Sequence, residues 1–240
     1  MIHVSNLSKS YAKNTVLSID QLDLQAGEII GLVGNNGAGK TTFFSLLLDL
    51  IKPTTGCIEN QGVQVDQSEA WKKETAAFID ENFLIGYLTA EEYFNFIAGL
   101  RGVSSSELEA LLSLFHPFFN EEILGNKKYI RDYSKGNQKK IGIAAAFIGT
   151  PQLVILDEPF ANLDPRAQMQ LQKLLKHFNS EKGLSIMVSS HDLLHVSEVC
   201  QRILILNKGV LVKDARTSDI TLDALRAFFS DDPAEESEAS

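Results

Sequence analysis

A glycine-rich stretch between a buried strand and a helix restricts the possible folds of this chain more than any other feature. Residues 34–41 read Gly-Asn-Asn-Gly-Ala-Gly-Lys-Thr and match the pattern G-x-x-x-x-G-K-[ST]. The apolar run 28–33 before it predicts a buried parallel strand, and residues 40–51 predict a helix after it. Because glycines permit the tight turn that aims successive backbone N–H groups at one anion, the sequence predicts a P-loop.

The last side chains of this loop have separate expected roles in holding a nucleotide triphosphate tail. The ammonium of Lys40 is expected to reach the β- and γ-phosphates, and the hydroxyl of Thr41 to bind Mg²⁺. The positive end of the helix dipole adds to the attraction for phosphate. The predicted phosphate-binding residues are Gly34, Asn35, Asn36, Gly37, Ala38, Gly39, Lys40, Thr41 and Thr42.

A second apolar run delivers two carboxylates to the same region. Residues 153–156 (LVIL) predict another buried strand, and Asp157 and Glu158 follow it directly. Ligands of open α/β sheets bind at the carboxyl edge of the parallel strands, so both carboxylates should lie near the P-loop. We expect Asp157 to hold Mg²⁺ and Glu158 to polarise a water for attack on the γ-phosphate.

The order of the segments predicts an α/β fold with a mainly parallel sheet, because strands and helices alternate along most of the chain. The stretch from residue 89 to about 117 reads as helical instead. Thr89 and Ser104 are each followed three residues later by a glutamate, the pattern of a capping box. We therefore expect a helical lobe in the middle of the chain.

The end of the chain reads differently from the rest. Residues 222–229 predict a short amphipathic helix. Residues 231–240 hold five acids and no large apolar side chain, which predicts a disordered acidic tail.

Composition excludes several classes of function. The chain has 240 residues and a formal net charge of −9, and an acidic surface repels phosphate backbones, so nucleic acid is not an expected partner. The apolar runs are far shorter than the about 20 residues that cross a bilayer. The two cysteines, Cys57 and Cys200, lie too far apart for a zinc motif or a redox pair.

A segment of five residues, upstream of the Asp157-Glu158 pair, suggests a family. Residues 133–137 read Tyr-Ser-Lys-Gly-Asn and precede a predicted helix. Together with the P-loop and the Asp-Glu pair, they resemble the LSGGQ signature of the nucleotide-binding subunits of ATP-binding cassette (ABC) transporters. Ser134 and Gly136 keep the family pattern, whereas Lys135 and Asn137 replace its Gly and Gln. The Tyr-Ser-Lys-Gly version looks like that of bacterial export-type cassettes.

The resemblance covers residues from about 2 to 212 and implies a specific assembly. It implies one ATP-binding domain over 1–230, with a P-loop NTPase core, an N-terminal antiparallel β subdomain and a helical subdomain over about 84–149 that carries the signature. It also implies that two such subunits, identical or different, enclose ATP and Mg²⁺, with Ser134 and Gly136 of one facing the γ-phosphate held by the other. The implied partner is a transmembrane permease subunit, which would place the chain in the cytoplasm at the inner face of the plasma membrane.

Three further positions match the family pattern. His191, after the predicted strand 185–189, matches a histidine that contacts the γ-phosphate. Residues 161–164 (ANLD) resemble the D-loop that crosses the dimer interface. Tyr11 stands where the family places an aromatic ring that stacks on adenine.

One position departs from the family. A glutamine usually follows the strand after the P-loop helix, in a loop that also receives the permease, and here residues 78–82 read Phe-Ile-Asp-Glu-Asn. Loop length favours Asp80 at this position, whereas local similarity favours Glu81. We expect one of these two carboxylates to approach Mg²⁺ or the attacking water, because a carboxylate is a stronger metal ligand than an amide.

Two other classes of function remain open on the sequence alone. A P-loop kinase acting on a small molecule would explain Lys40, Thr41 and Asp157, but neither the signature nor His191. A non-transport cassette that binds the ribosome or DNA would share the motifs, although such proteins commonly carry two cassettes or a long coiled coil.

Overall fold

A computed structural model describes residues 1–221 of the chain. The amphipathic helix expected over 222–229 and the acidic tail expected over 231–240 lie outside the described residues. None of the helices within residues 1–221 is both long and apolar enough to cross a lipid bilayer.

Ten strands and six α-helices make up the described part of the chain. The strands are β1 (Ile2–Tyr11), β2 (Asn14–Leu24), β3 (Ile29–Val33), β4 (Thr55–Asn60), β5 (Val63–Gln64), β6 (Thr75–Phe78), β7 (Leu153–Leu156), β8 (Ser185–Ser190), β9 (Arg202–Asn207) and β10 (Val210–Arg216). The helices are α1 (Lys40–Leu47), α2 (Ala90–Arg101), α3 (Ser105–Phe119), α4 (Lys135–Ala146), α5 (Pro165–Lys182) and α6 (Leu193–Val199).

All ten strands join one sheet, in the order β5-β4-β1-β2-β10-β9-β3-β8-β7-β6. The half that contains β9, β3, β8, β7 and β6 is parallel throughout. At the other end, β1 pairs antiparallel with both β2 and β4. The predicted α/β fold, with a mainly parallel core and an antiparallel N-terminal part, is confirmed.

Strand β3 lies at the centre of the parallel half and is buried on both faces, as its nearly continuous apolar sequence predicts. Ile30 and Leu32 point into the core that surrounds α1, together with Phe43 and Phe44 of that helix. Residues on the opposite face join the larger core, which extends through α3, α4 and α5. Burial on both faces fixes the position of the loop that follows β3.

The helices of the middle region begin where their capping boxes predict. In α2 the Thr89 hydroxyl accepts from the Glu92 N–H and the Glu92 carboxylate accepts from the Thr89 N–H. Ser104 and Glu107 form the same reciprocal pair at the start of α3. Each pair satisfies two backbone N–H groups that have no partner inside the helix.

Some element boundaries differ from the prediction. Helix α1 ends at Leu47 and not at residue 51, because Asp49 adopts a left-handed φ of 53° and the chain turns there. Helix α3 continues past Pro117 to Phe119. Strands β4, β5 and β10 and helix α6 were not predicted.

Close packing at Gly142 yields a prediction about stability. A Cβ at Gly142 in α4 would lie 2.1 Å from Cε2 of Phe78 in β6, whereas a Cβ at Gly99 in α2 would meet no atom within 4 Å. We expect Gly142→Ala to lower the free energy of unfolding by about 1–3 kcal/mol through overpacking. Gly99→Ala should raise it by up to about 1 kcal/mol, since alanine favours helix. Urea denaturation followed by circular dichroism measures both; equal effects would contradict this packing.

Candidate functional site

The predicted P-loop connects the carboxyl end of β3 to the start of α1. A Cβ at Gly34 would lie 2.3 Å from the carbonyl oxygen of Leu206, so only glycine fits there. Gly39 adopts a φ of 105°, which side-chain-bearing residues rarely adopt, and it directly precedes the first residue of α1. Both glycines therefore serve the turn that brings the N-terminus of α1 to the edge of the sheet.

The Lys40 ammonium is buried and lies between the P-loop and the Asp157-Glu158 pair. Its Nζ donates to the carbonyl oxygen of Gly34 at 2.6 Å. The same Nζ lies 3.1 Å from Oε1 of Glu158. The lysine is only 6% exposed, so this carboxylate is its immediate counter-charge.

Thr41 and Asp157 face each other across the site, although 116 residues separate them in the chain. The Thr41 hydroxyl donates to Oδ2 of Asp157 at 2.5 Å. Burial raises the pKa of the Asp157 carboxyl above its ordinary value, and hydrogen bonds from Ser189 and Thr41 oppose that rise. A buried carboxylate of this kind is stabilised by any further positive charge brought to it.

These two residues fit the requirements of Mg²⁺. A threonine hydroxyl and a carboxylate are hard oxygen ligands, and here their oxygens lie side by side. Within residues 1–221 no three His, Cys, Asp or Glu side chains group as a metal site of their own. Mg²⁺ is commonly held by one or two protein oxygens together with phosphate oxygens and waters, and not by a protein cage.

The Glu158 carboxylate lies between the Lys40 ammonium and the His191 imidazole ring. Its Oε2 lies 2.9 Å from Nδ1 of His191, while Oε1 faces Lys40. Oε1 is buried and has no hydrogen-bond partner within the described residues. The two predicted catalytic residues, Glu158 and His191, are therefore in direct contact beside the P-loop.

Ser189 contacts both carboxylate residues of the site, and the sequence analysis did not single it out. Its hydroxyl accepts from the backbone N–H of Glu158 at 2.7 Å and donates to Oδ1 of Asp157. Ser189 lies on β8, which pairs with β7 in parallel, so its end reaches the same edge of the sheet as the two carboxylates. One sequence signal could have indicated this residue. Ser189 and Ser190 end a buried strand directly before His191.

Tyr11 lies beside the P-loop at the end of β1, and its side chain is 53% exposed. A cavity of about 280 Å³ separates the two. Its lining consists of Tyr11, Val16, Asn35, Asn36, Gly37, Ala38, Gly39, Lys40, Thr41, Thr42 and Glu158. Most of the predicted binding residues are thus brought to one place.

The signature residues lie elsewhere. Ser134 is exposed and is the N-cap of α4, where its hydroxyl accepts from the Asn137 N–H at 3.3 Å. A Cβ at Gly136 would lie 2.8 Å from the carbonyl oxygen of Asn162, so the signature packs against the D-loop segment. Neither Ser134 nor Gly136 lines the cavity next to the P-loop of its own chain.

Asp80 and Glu81 are the two candidates for the position at which the family usually has a glutamine, and they have different partners. Oδ1 of Asp80 accepts from the backbone N–H of Asn82 at 2.6 Å and caps a short 3₁₀ helix. Oε1 of Glu81 lies 3.7 Å from Nζ of Lys139, and both side chains are largely buried. Neither carboxylate lines the P-loop cavity, so a role in metal binding stays a prediction for both.

A P-loop beside an Asp-Glu pair at the carboxyl edge of a parallel sheet defines the class of P-loop nucleoside triphosphatases. The chain matches the family model described as ABC transporter over residues 17–161. That match spans more than half of the chain, so the chain belongs to the ABC transporter family. It is an ATP-binding subunit and an ATPase.

Relatives and a solved structure agree with this assignment. The chain is 33% identical over 226 residues to the bacitracin transport ATP-binding protein BcrA of Enterococcus faecalis, covering 92% of this chain and 70% of BcrA. It is 33% identical over 214 residues to the lantibiotic transport ATP-binding protein SrtF of Streptococcus pyogenes, covering 88% and 89%. A structure described as the ATP binding subunit of an ABC transporter matches with a TM-score of 0.80 and 31% identity, covering 96% and 93%.

The double contact of Ser189 predicts an effect on catalysis beyond its effect on stability. We expect Ser189→Ala to lower the ATPase turnover number by about 10- to 100-fold, because it releases the groups that orient Asp157 and Glu158. The matched control is Ser185→Ala on the same strand, because the buried Ser185 hydroxyl accepts from the Gly27 N–H at 2.8 Å and from no other group within residues 1–221.

Both substitutions should lower the free energy of unfolding by about 1 kcal/mol. Only the change at Ser189 should slow phosphate release from ATP, measured with excess Mg²⁺. Equal turnover in the two variants would show that Ser189 has a structural role alone.

Proposed function

We propose that this chain is the ATPase subunit of a bacterial exporter of peptide antibiotics, and that it works as a dimer on a separate membrane permease. The catalytic part is supported by two contacts at the P-loop. Thr41 is hydrogen-bonded to Asp157, and Lys40 lies within ion-pair distance of Glu158. The transport part is supported by BcrA and SrtF, whose names specify bacitracin and lantibiotic transport.

ATP would bind along the cavity between Tyr11 and the P-loop. The backbone N–H groups at the start of α1 and the Lys40 ammonium would hold the β- and γ-phosphates. A phosphate oxygen at Lys40 would share that ammonium with Glu158, so nucleotide binding and the position of the carboxylate are coupled through one charge. The Tyr11 ring offers an exposed aromatic face to adenine.

Glu158 is positioned to act as the general base. The oxygen of a water would attack the γ-phosphorus while the bond to the β–γ bridging oxygen breaks, giving ADP and phosphate, and the water's proton would pass to Glu158. His191, hydrogen-bonded to Oε2 of Glu158, would hold the carboxylate in line and face the γ-phosphate. Mg²⁺ held by Thr41 and Asp157 would supply neutralisation of phosphate charge.

The far side of the γ-phosphate would be supplied by a second subunit. Ser134 is exposed at the N-terminus of α4, where a hydroxyl and the backbone N–H groups of the first turn suit an anion. Since the signature does not line the cavity of its own chain, the partner's copy would complete the site. In this arrangement the helical subdomain of about 84–149 carries the signature and the ATP molecules bridge the two chains.

The permease would dock in the cleft beside the loop after β6. That cleft has a volume of about 450 Å³ and is lined by apolar residues of β6, α2 and α4 together with Leu50 and Phe83. Phe83 and Tyr87 nearby are 65% and 69% exposed. Large apolar residues exposed to this extent are typical of a surface that a partner protein covers. Docking there would hold the chain at the inner face of the plasma membrane.

The dimer proposal predicts a specific behaviour of Glu158→Gln. The amide keeps the shape of the side chain but cannot take the proton, so turnover should fall by about 10²-fold or more while ATP stays bound. Size-exclusion chromatography with Mg-ATP should then show a stable dimer. A variant that binds ATP and remains monomeric would contradict the proposal.

Lys40→Ala is the matched control for that experiment. It removes the other member of the same ion pair, and we expect it to weaken ATP binding by about tenfold or more. It should therefore stay monomeric with Mg-ATP at concentrations that dimerise Glu158→Gln.

The permease proposal predicts what the chain should bring with it from cells. A tagged chain, purified gently from membranes, should recover a protein with several apolar segments of about 20 residues. Phe83→Asp should abolish that recovery, because it places a charge in an apolar interface. Met169→Asp, at another exposed apolar residue on α5 (55% exposed), should not. Recovery of ribosomes or DNA instead of a membrane protein would overturn the transport assignment.

A further inference from the structure

The backbone of Glu158 has an unusual conformation. Its φ is 44°, in the left-handed region that non-glycine residues adopt only at an energetic cost. Such a conformation persists when the surrounding contacts hold it. Here the N–H of Glu158 donates to the Ser189 hydroxyl at 2.7 Å, and its carbonyl oxygen accepts from Nζ of Lys139 at 2.8 Å. Both peptide groups that flank the catalytic side chain are therefore held by side chains of other elements.

Lys139 reaches Glu158 from the signature helix. It lies in the second turn of α4, five residues after Ser134, and it is only 6% exposed. Its ammonium also lies 3.7 Å from Oε1 of Glu81, in the loop that follows β6. One buried charge thus joins three segments: the signature helix, the loop beside the proposed permease cleft, and the catalytic turn.

The neighbouring residue shows that a buried lysine in this helix need not serve the site. Lys140 is even more buried, at 3% exposure, and its Nζ lies 3.4 Å from the Glu122 carboxylate. A buried ammonium costs stability unless carboxylates and hydrogen bonds compensate for its desolvation. At Lys139 that compensation comes from Glu81 and from the Glu158 carbonyl, so removing the lysine alters both.

We propose that Lys139 is a positioning residue for ATP hydrolysis: its hydrogen bond to the Glu158 carbonyl holds the left-handed turn that aims the Glu158 carboxylate at Lys40, and Glu81 is the counter-charge that keeps its ammonium in place. The inference rests on the proposed role of Glu158 as the general base. It adds a physical connection between the loop at the permease cleft and the catalytic carboxylate.

The first test needs no nucleotide. Hydrogen–deuterium exchange of the peptide segment 156–163 reports on the turn, because the Ala161 N–H also donates to the Glu158 carbonyl oxygen at 3.2 Å. Lys139→Met should accelerate exchange in this segment about tenfold or more, whereas the matched control Lys140→Met should leave it unchanged. Unchanged exchange in Lys139→Met would overturn the proposal. Since the assay contains no ATP, this result stands apart from any failure of the proposed catalytic function.

The second test separates turnover from binding. Lys139→Met should lower kcat for ATP by about 10- to 100-fold and change KM much less, because the lysine contacts the Glu158 carbonyl oxygen and Glu81 and not a P-loop residue. Lys139→Arg, which retains a charged donor, should restore a large part of kcat. Loss of kcat and rise of KM together, with no rescue by arginine, would show a general structural defect and would overturn the proposal.

A double variant distinguishes positioning from charge compensation. Lys139→Met leaves the Glu81 carboxylate without its partner, and adding Glu81→Gln removes that unpaired charge. The double variant should regain thermal stability lost in Lys139→Met but should not regain kcat or slow exchange at 156–163. If turnover recovered along with stability, Lys139 would act only as a counter-charge for Glu81 and the proposal would be wrong. The double variant also provides the measurement should Lys139→Met alone fail to fold.

Discussion

The Lys40 ammonium is the charge on which the arrangement of the site depends. It is buried, and such a charge is tolerable only with close acceptors, which here are the Gly34 carbonyl and the Glu158 carboxylate. The P-loop turn supplies the first acceptor and the segment after β7 supplies the second. The same ammonium is the group expected to bind a phosphate. The contacts that compensate for its burial therefore also hold it in position for an anion.

The sheet order explains why distant segments meet there. Strands β3, β8 and β7 are neighbours and run parallel, so their carboxyl ends deliver the P-loop, Ser189 and the Asp-Glu pair to one edge. Side chains from β8 and from the helix α4 then hold the turn that contains Glu158. Ser189 and Lys139 each hold one peptide group of Glu158, and together they sustain a backbone conformation that its own preference disfavours.

Much of this could be predicted from the sequence, because it is local. The P-loop, the Asp-Glu pair after a buried strand and the two capping boxes are patterns of a few adjacent residues, and the structure places them as expected. Strand β10 was missed because most of its residues are exposed, so it lacks apolar alternation. The contacts of Ser189 and Lys139 were missed for a different reason: they join residues 19 to 58 positions apart, and only the folded chain shows which polar groups face each other.

We expect residues 34–41 to hold the triphosphate of ATP, and calorimetric titration of the purified chain tests this expectation most directly. With Mg²⁺ present, ATP should bind with a stoichiometry of about one per chain, whereas AMP, which lacks the β- and γ-phosphates that the loop would hold, should give little heat. A folded chain that binds neither nucleotide, or binds AMP as tightly as ATP, would contradict the account.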